Sequence, residues 1–288
     1  MKKNLYFFLC MITLMSFSFV SCGDDDDDEK EQQYYNPGNK EDGEEFGFGN
    51  STPEVNAVVV NLTVGDKFAL PDATLGWISE NTRVAFVSED GNYIVGEHVG
   101  TTRVYGGTYK YTVIVNPKYT LYADPCTKWG ATVDEVTHYM AAYKFYRQSG
   151  NYIYYYGKDA AGYYGYDFET GRLKFSMVFV DTDYAENLVD FLFERYLYAG
   201  DIENDGDVYF LFLNLSEDML VTMSTSLVEA NGKNYIPVLY EYFEPESEAK
   251  TRGGFAVNTE KIEELCRQMG VKKADMQVLT SEKLRSLK

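Results

Sequence analysis

Short alternating runs cut by glycine turns leave residues 55–117 little to fold into except a small all-β structure. Val58-Val59-Val60, Leu62 and Val64 precede a turn at Gly65-Asp66, and Phe68 and Leu70 follow it. Val84, Phe86 and Val87 come next, with further turn signals at Asp90-Gly91, Gly96, Gly100 and Gly106-Gly107. The last run places Tyr109, Tyr111, Val113 and Val115 on one face and stops at Pro117.

The pattern then changes to helices and strands in turn. Thr132 and Glu135 have capping-box spacing, with Val133, Val136, Met140 and Tyr143 on one helical face. Strands are expected over 152–156, 163–168 and 173–180. A second helix opens at Asp183 and Glu186, turns Leu188, Val189, Leu192, Phe193 and Tyr196 inward, and stops at Gly200. Three more strands follow over 208–213, 220–225 and 236–243. Two helix-plus-three-strand units in tandem predict an α+β fold with helices on an antiparallel sheet. Asn258 then caps a helix with its apolar stripe at Ile262, Leu265, Cys266 and Met269, closed by Gly270, and a further short helix is expected after it.

The beginning of the chain is of another kind. Lys2 and Lys3 lead into an apolar run, Leu5 to Val20, too short for a comfortable membrane span and ending in small Ser21. Between Asp24 and Glu45 stand eleven acids against two lysines. Such a segment buries too little surface to offset its ordering entropy and is expected to be a solvated tether. The whole chain has a formal charge of −19, with no clustered Lys and Arg to grip a nucleic acid. The expected division is therefore a signal segment 1–21, an acidic tether 22–54, an all-β region 55–117, an α+β region 118–245, a linker 246–257 and a helical segment 258–288.

Four resemblances attach to these residues. Phe19-Val20-Ser21-Cys22 resembles the lipobox of bacterial lipoproteins, departing at Phe19 where leucine is commoner. That resemblance implies a lipidated Cys22 and anchorage in the outer membrane. The run Asp24-Asp25-Asp26-Asp27-Asp28-Glu29 resembles the surface-export signal of some Gram-negative lipoproteins. Leu62-Thr63-Val64-Gly65-Asp66, Trp77, Ser79, Asn81, Val84-Ala85, Val87, Asp90-Gly91, Val95-Gly96 and Gly100-Thr101-Thr102 resemble a bacterial immunoglobulin-like domain of group 2. Members of that family serve as spacers or adhesion modules. The opening from Gly130 to Val136, with the tyrosine-rich hairpins after it, is similar to repeats of β-lactamase-inhibitor-like proteins. This favours a protein partner over catalysis.

Several groups invite a chemical reading. Tyr152, Tyr154 and Tyr156 share one strand face, and Tyr163, Tyr164 and Tyr166 follow in the next strand. Such rings can stack on a sugar or anchor a protein, or simply fill a core. Asp201, Glu203, Asp205 and Asp207 echo a calcium loop, but Phe212 stands where its bidentate glutamate belongs, so an acidic turn is the plainer reading. Cys126 and Cys266 are the cysteines left beyond the signal and Cys22, and their pairing stays open. His98 and His138 have no nucleophile motif beside them, and no cofactor signature occurs. The expectation is a non-catalytic surface lipoprotein offering a tyrosine-rich face to a glycan or protein. The alternatives are an accessory subunit of an outer-membrane complex, docked through its C-terminal helices, and a hydrolase with an unrecognised carboxylate pair.

Overall fold

A computed structural model describes residues 58–204, 206–243 and 258–270, together with the backbone of 272–277. The signal segment, Cys22, the acidic run, the linker 246–257 and Asp205 lie outside the described residues. The fold is mostly β, with large antiparallel sheets and few helices.

Residues 58–116 form seven strands: β1 (Val58–Thr63), β2 (Lys67–Ala69), β3 (Ile78–Ser79), β4 (Ala85–Val87), β5 (Tyr93–Gly96), β6 (Gly100–Gly106) and β7 (Tyr109–Asn116). They make a four-stranded sheet in the order β1-β7-β6-β3 and a three-stranded sheet in the order β2-β5-β4. β1 lies parallel to β7, setting Val60 opposite Val113. The inward residues of both sheets meet in one core that includes Val60, Leu62, Ile94, Val104, Tyr111, Val113 and Val115. The predicted alternation in β7 holds, except that Tyr109 at its start is largely exposed.

One glycine here is required by space. A Cβ on Gly106 would stand 2.6 Å from ring carbons of Trp77, whose Nε1 donates to the Asp72 carbonyl at 2.7 Å. Gly106→Ala should therefore push the indole off the strand and cost about 1–3 kcal/mol. Urea denaturation followed by circular dichroism measures this; an unchanged midpoint would mean that the ring moves aside freely.

The second region contains α1 (Val133–Tyr139), β8 (Phe145–Ser149), β9 (Tyr152–Tyr156), β10 (Ala161–Glu169), β11 (Arg172–Asp181), α2 (Ala185–Phe193), β12 (Leu197–Asn204), β13 (Asp207–Leu213), β14 (Met219–Ser224), β15 (Ser226–Ala230), β16 (Lys233–Tyr242), α3 (Thr259–Met269) and β17 (Lys272–Gln277). Its strands form a ten-stranded sheet along the path β12-β13-β14-β16-β11-β10-β9-β8, and β15 pairs with both β16 and β17. β8 to β11 follow α1 and β12 to β16 follow α2, with β15 off the main path, and β11 and β16 pair at the centre.

The capping box at α1 is complete: the Glu135 N–H donates to Thr132 Oγ1, and the Glu135 carboxylate accepts from the Thr132 N–H at 2.8 Å. α3 opens at Asn258 and closes at left-handed Gly270, as its stripe predicts. Three expectations are corrected. The units have more than three strands each, because β8, β12 and β15 lack a strong alternating pattern. Gly200 does not stop a helix; it sits at a bulge in β12 with φ +128, after α2 has ended at Phe193. The residues after α3 form β17, drawn into strand by pairing with β15 rather than by their own propensity.

α1, α2 and the segment from Leu121 to Cys126 cover one sheet face; α3 covers part of the other. Cys126 lies in the first core and Cys266 in the second, so the sheet separates them and both thiols are free.

Among the described residues the two regions meet at two places. At the first, the Val99 N–H donates to the Glu194 carbonyl at 2.7 Å, while the Glu194 carboxylate accepts from the N–H groups of Lys118 and Tyr119. At the second, Arg83 donates to the Leu215 carbonyl at 2.8 Å and pairs with Glu217, and the Leu215 side chain packs against the core of the first region.

Candidate binding site

The tyrosine strands do not form the exposed face that their alternation suggests. Tyr154, Tyr163, Tyr164 and Tyr166 are buried, and they are divided between the two faces of the sheet. Tyr164 and Tyr166 lie under α1 and α2, where their hydroxyls donate to the Ala123 carbonyl at 2.9 Å and to Met140 Sδ at 3.0 Å. Tyr154 lies under α3 and donates to the Leu265 carbonyl at 2.8 Å. Burial pushes all these phenols above their ordinary range. The physical reason for the correction is coverage on both sides: α1 and α2 bury one face of these strands, and α3 buries much of the other.

A smaller aromatic cluster stays partly open. Tyr146, Tyr156, Tyr163 and Tyr235 contact one another with ring centroids 4.9–5.6 Å apart. Tyr156 is 36% exposed, with the Lys144 ammonium 5.4 Å above its ring. Gly162 lies beneath the Tyr235 ring, and a Cβ there would come within 2.1 Å of it. Tyr152 is half-buried, with Lys261 5.8 Å from its ring.

α3 is fastened across this face by an apolar stripe flanked by polar contacts. Lys261 Nζ meets buried Asp167 at 2.8 Å, Arg147 donates to the Met269 carbonyl, and Ser149 donates to Gln268. Burial would lower the Lys261 pKa, but the hydrogen bond and charge of Asp167 outweigh it and leave the ammonium above its usual value.

Beside α3 a cleft of about 370 Å³ opens between the helix and β13–β16. Tyr209, Val228, Pro237, Ile262 and Cys266 give it apolar walls, and Asp207, Ser224, Ser226, Glu263 and Arg267 supply polar groups. This is the size and mixture of a small-ligand site. Buried Ser224 has its Oγ accepting from the Ser226 N–H at 3.1 Å. Burial pushes the Cys266 thiol up to about 12, so it lines the cleft as a small apolar group rather than a nucleophile. Sequence reasoning finds the helical wall but not the cleft, which exists because β15 leaves the meander.

The acidic stretch is extended where it is described, and Asp205 lies outside the described residues. Asp201 and Glu203 lie on extended β12, paired with Phe210 and Val208 of β13, and Asp207 opens β13. An extended strand spreads alternate carboxylates by about 7 Å along a line rather than curling them around an ion. Asp201 accepts from the Tyr198 hydroxyl at 2.8 Å. Among the described residues no group of three or more His, Cys, Asp or Glu could hold a metal. His98 Nδ1 bonds the Arg83 carbonyl at 2.7 Å, and His138 is exposed in the last turn of α1.

No family model, curated protein or solved structure matches the chain.

Proposed function

We propose that the chain is a lipid-anchored protein of a bacterial outer surface, whose folded body is a non-catalytic binding module for a glycan. The observation that carries this reading is the lipobox-like junction at Cys22, followed at once by Asp24-Asp25-Asp26-Asp27-Asp28-Glu29. Lipid on Cys22 would hold a body whose acidic balance gives it no attraction to anionic head groups. Residues 55–117 are read as a group 2 immunoglobulin-like spacer, supported by two sheets around one core with the first strand laid along the last. The α+β reading of the rest is supported by helices on an antiparallel sheet in tandem units. The ligand site is the cleft beside α3, where the Tyr209 ring, two serines and two carboxylates suit a hydroxyl-rich ligand. Docking of the C-terminal helix on a neighbouring subunit loses its motive, because the α3 stripe is already buried on this chain's own sheet.

Two measurements test the reading separately. Mass spectrometry should find the mature chain starting at acylated Cys22; an unmodified start removes the anchor. A glycan screen should give binding that falls at least tenfold in Ser226→Phe, which fills the cleft. Undiminished binding removes the cleft as the site.

A further inference from the structure

Resting on the reading of the cleft beside α3 as a glycan site, we infer that its ligand is a neutral N-acetylated hexosamine. The sugar is held with its acetamido group inward and its ring hydroxyls at the mouth. The inner lining is the ground for this. Tyr209, Val228, Ile262 and Cys266 are buried, and Pro237 is buried beside them. The buried hydroxyl of Ser224 is already engaged, because its Oγ accepts from the Ser226 N–H at 3.1 Å and lies 3.5 Å from the Ser226 carbonyl oxygen.

A plain hexose fits such a lining poorly. A hydroxyl pressed against apolar walls loses its water without gaining a partner. An acetamido group carries a methyl, which gains from burial against Val228, Ile262 and Cys266. Its amide lies between that methyl and the ring, at the depth where the lining becomes polar. Ser226, half-buried at the start of β15, donates to the amide carbonyl, and Glu263, exposed on α3, accepts from the amide N–H. A 6-deoxy sugar also has a methyl, but no amide to use these two groups.

Charge narrows the class to neutral sugars. Arg267, the one base among the described lining residues, already pairs with Glu264. Glu263 adds a carboxylate to the same mouth, in a chain whose formal charge is −19. A uronic or sialic acid would bring its own carboxylate against like charge. The volume of about 370 Å³ is at the small end for ligand pockets and suits a single terminal residue.

Ligand-observed NMR on residues 22–288 with Cys22→Ser, which removes the acylation site, tests the inference. On saturation of the protein, the acetamido methyl of methyl N-acetylglucosaminide should receive more magnetisation than any ring proton. Its affinity should exceed those of methyl glucoside, methyl fucoside and the methyl glycoside of N-acetylneuraminic acid by about tenfold or more. Ser226→Ala should weaken it about three- to tenfold without moving the urea midpoint, and Ser226→Phe should remove it. Strongest transfer to ring protons, equal affinity for any of the other three sugars, or undiminished binding in Ser226→Ala would overturn the inference. If the glucoside binds as tightly and Ser226→Phe removes both, the cleft stays a glycan site and only the acetamido preference falls. If no sugar binds, or binding survives Ser226→Phe, the glycan reading of the cleft falls with it.

Discussion

Glu194→Ala should lower stability by roughly 2–4 kcal/mol and free the junction between the two regions. Glu194 follows the last turn of α2, and its side chain is almost wholly buried. A carboxylate at a helix C-terminus is opposed by the helix dipole, so its retention there needs a compensating partner. The partners are the backbone N–H groups of Lys118 and Tyr119, at 3.0 and 3.1 Å, with Arg195 alongside at 3.7 Å. Removing the carboxylate leaves two donors without an acceptor in a largely closed site. Urea denaturation gives the loss of stability, and hydrogen exchange at Lys118 and Tyr119 gives the loss of the clasp. Exchange there as slow as in the unsubstituted protein would show that the carboxylate does not hold the junction. Arg83→Ala, at the second contact, should cost no more than about 1 kcal/mol, because that ion pair is partly solvated.

Glu241→Gln should stabilise the protein at pH 8 by up to about 3 kcal/mol and leave it unchanged near pH 4.5. Glu241 Oε1 is buried without a hydrogen-bond partner, and burial pushes the carboxyl up to about 7. Between pH 4.5 and 7 the folded chain holds this proton while the unfolded chain has released it. The folded state therefore binds more protons across that window, and stability falls as pH rises, reaching its full penalty above 7. A neutral amide at the same place removes the slope. Urea midpoints at pH 5 and pH 8 measure it; an equal effect of the substitution at both would mean that ionisation is not the cause. Thr222 Oγ1, on the same face of the neighbouring strand, also lacks a partner.

What the sequence discloses follows from how local each cause is. The capping box at Thr132 and Glu135 and the stripe from Ile262 to Met269 are complete within a few residues, and both stand in the structure as read. β9 and β13 are legible because Tyr152 to Tyr156 and Val208 to Leu213 are rich in residues that favour strands. Edge strands depend on their neighbours instead. β12 carries Gly200, Asp201 and Glu203, which argue for a turn until β13 is laid beside them. The tyrosine face fails for a related reason. Period-two alternation tells which residues share a side, not whether that side meets water, and α3 returns from far along the chain to cover Tyr154. The cleft has no sequence signal of its own, since its walls come from β13 to β16 and α3.

The meandering order of the long sheet has a kinetic consequence. Within each half, most strands bond to the strand just before or after them in the chain, so their loops close quickly and at little entropic cost. The seam between β11 and β16 joins segments more than fifty residues apart, and no short turn guides it. Two hairpin stacks are therefore expected to form before that seam zips. Substitutions along it, at Val178 or Val238, should retard refolding more than equal losses of stability near either edge.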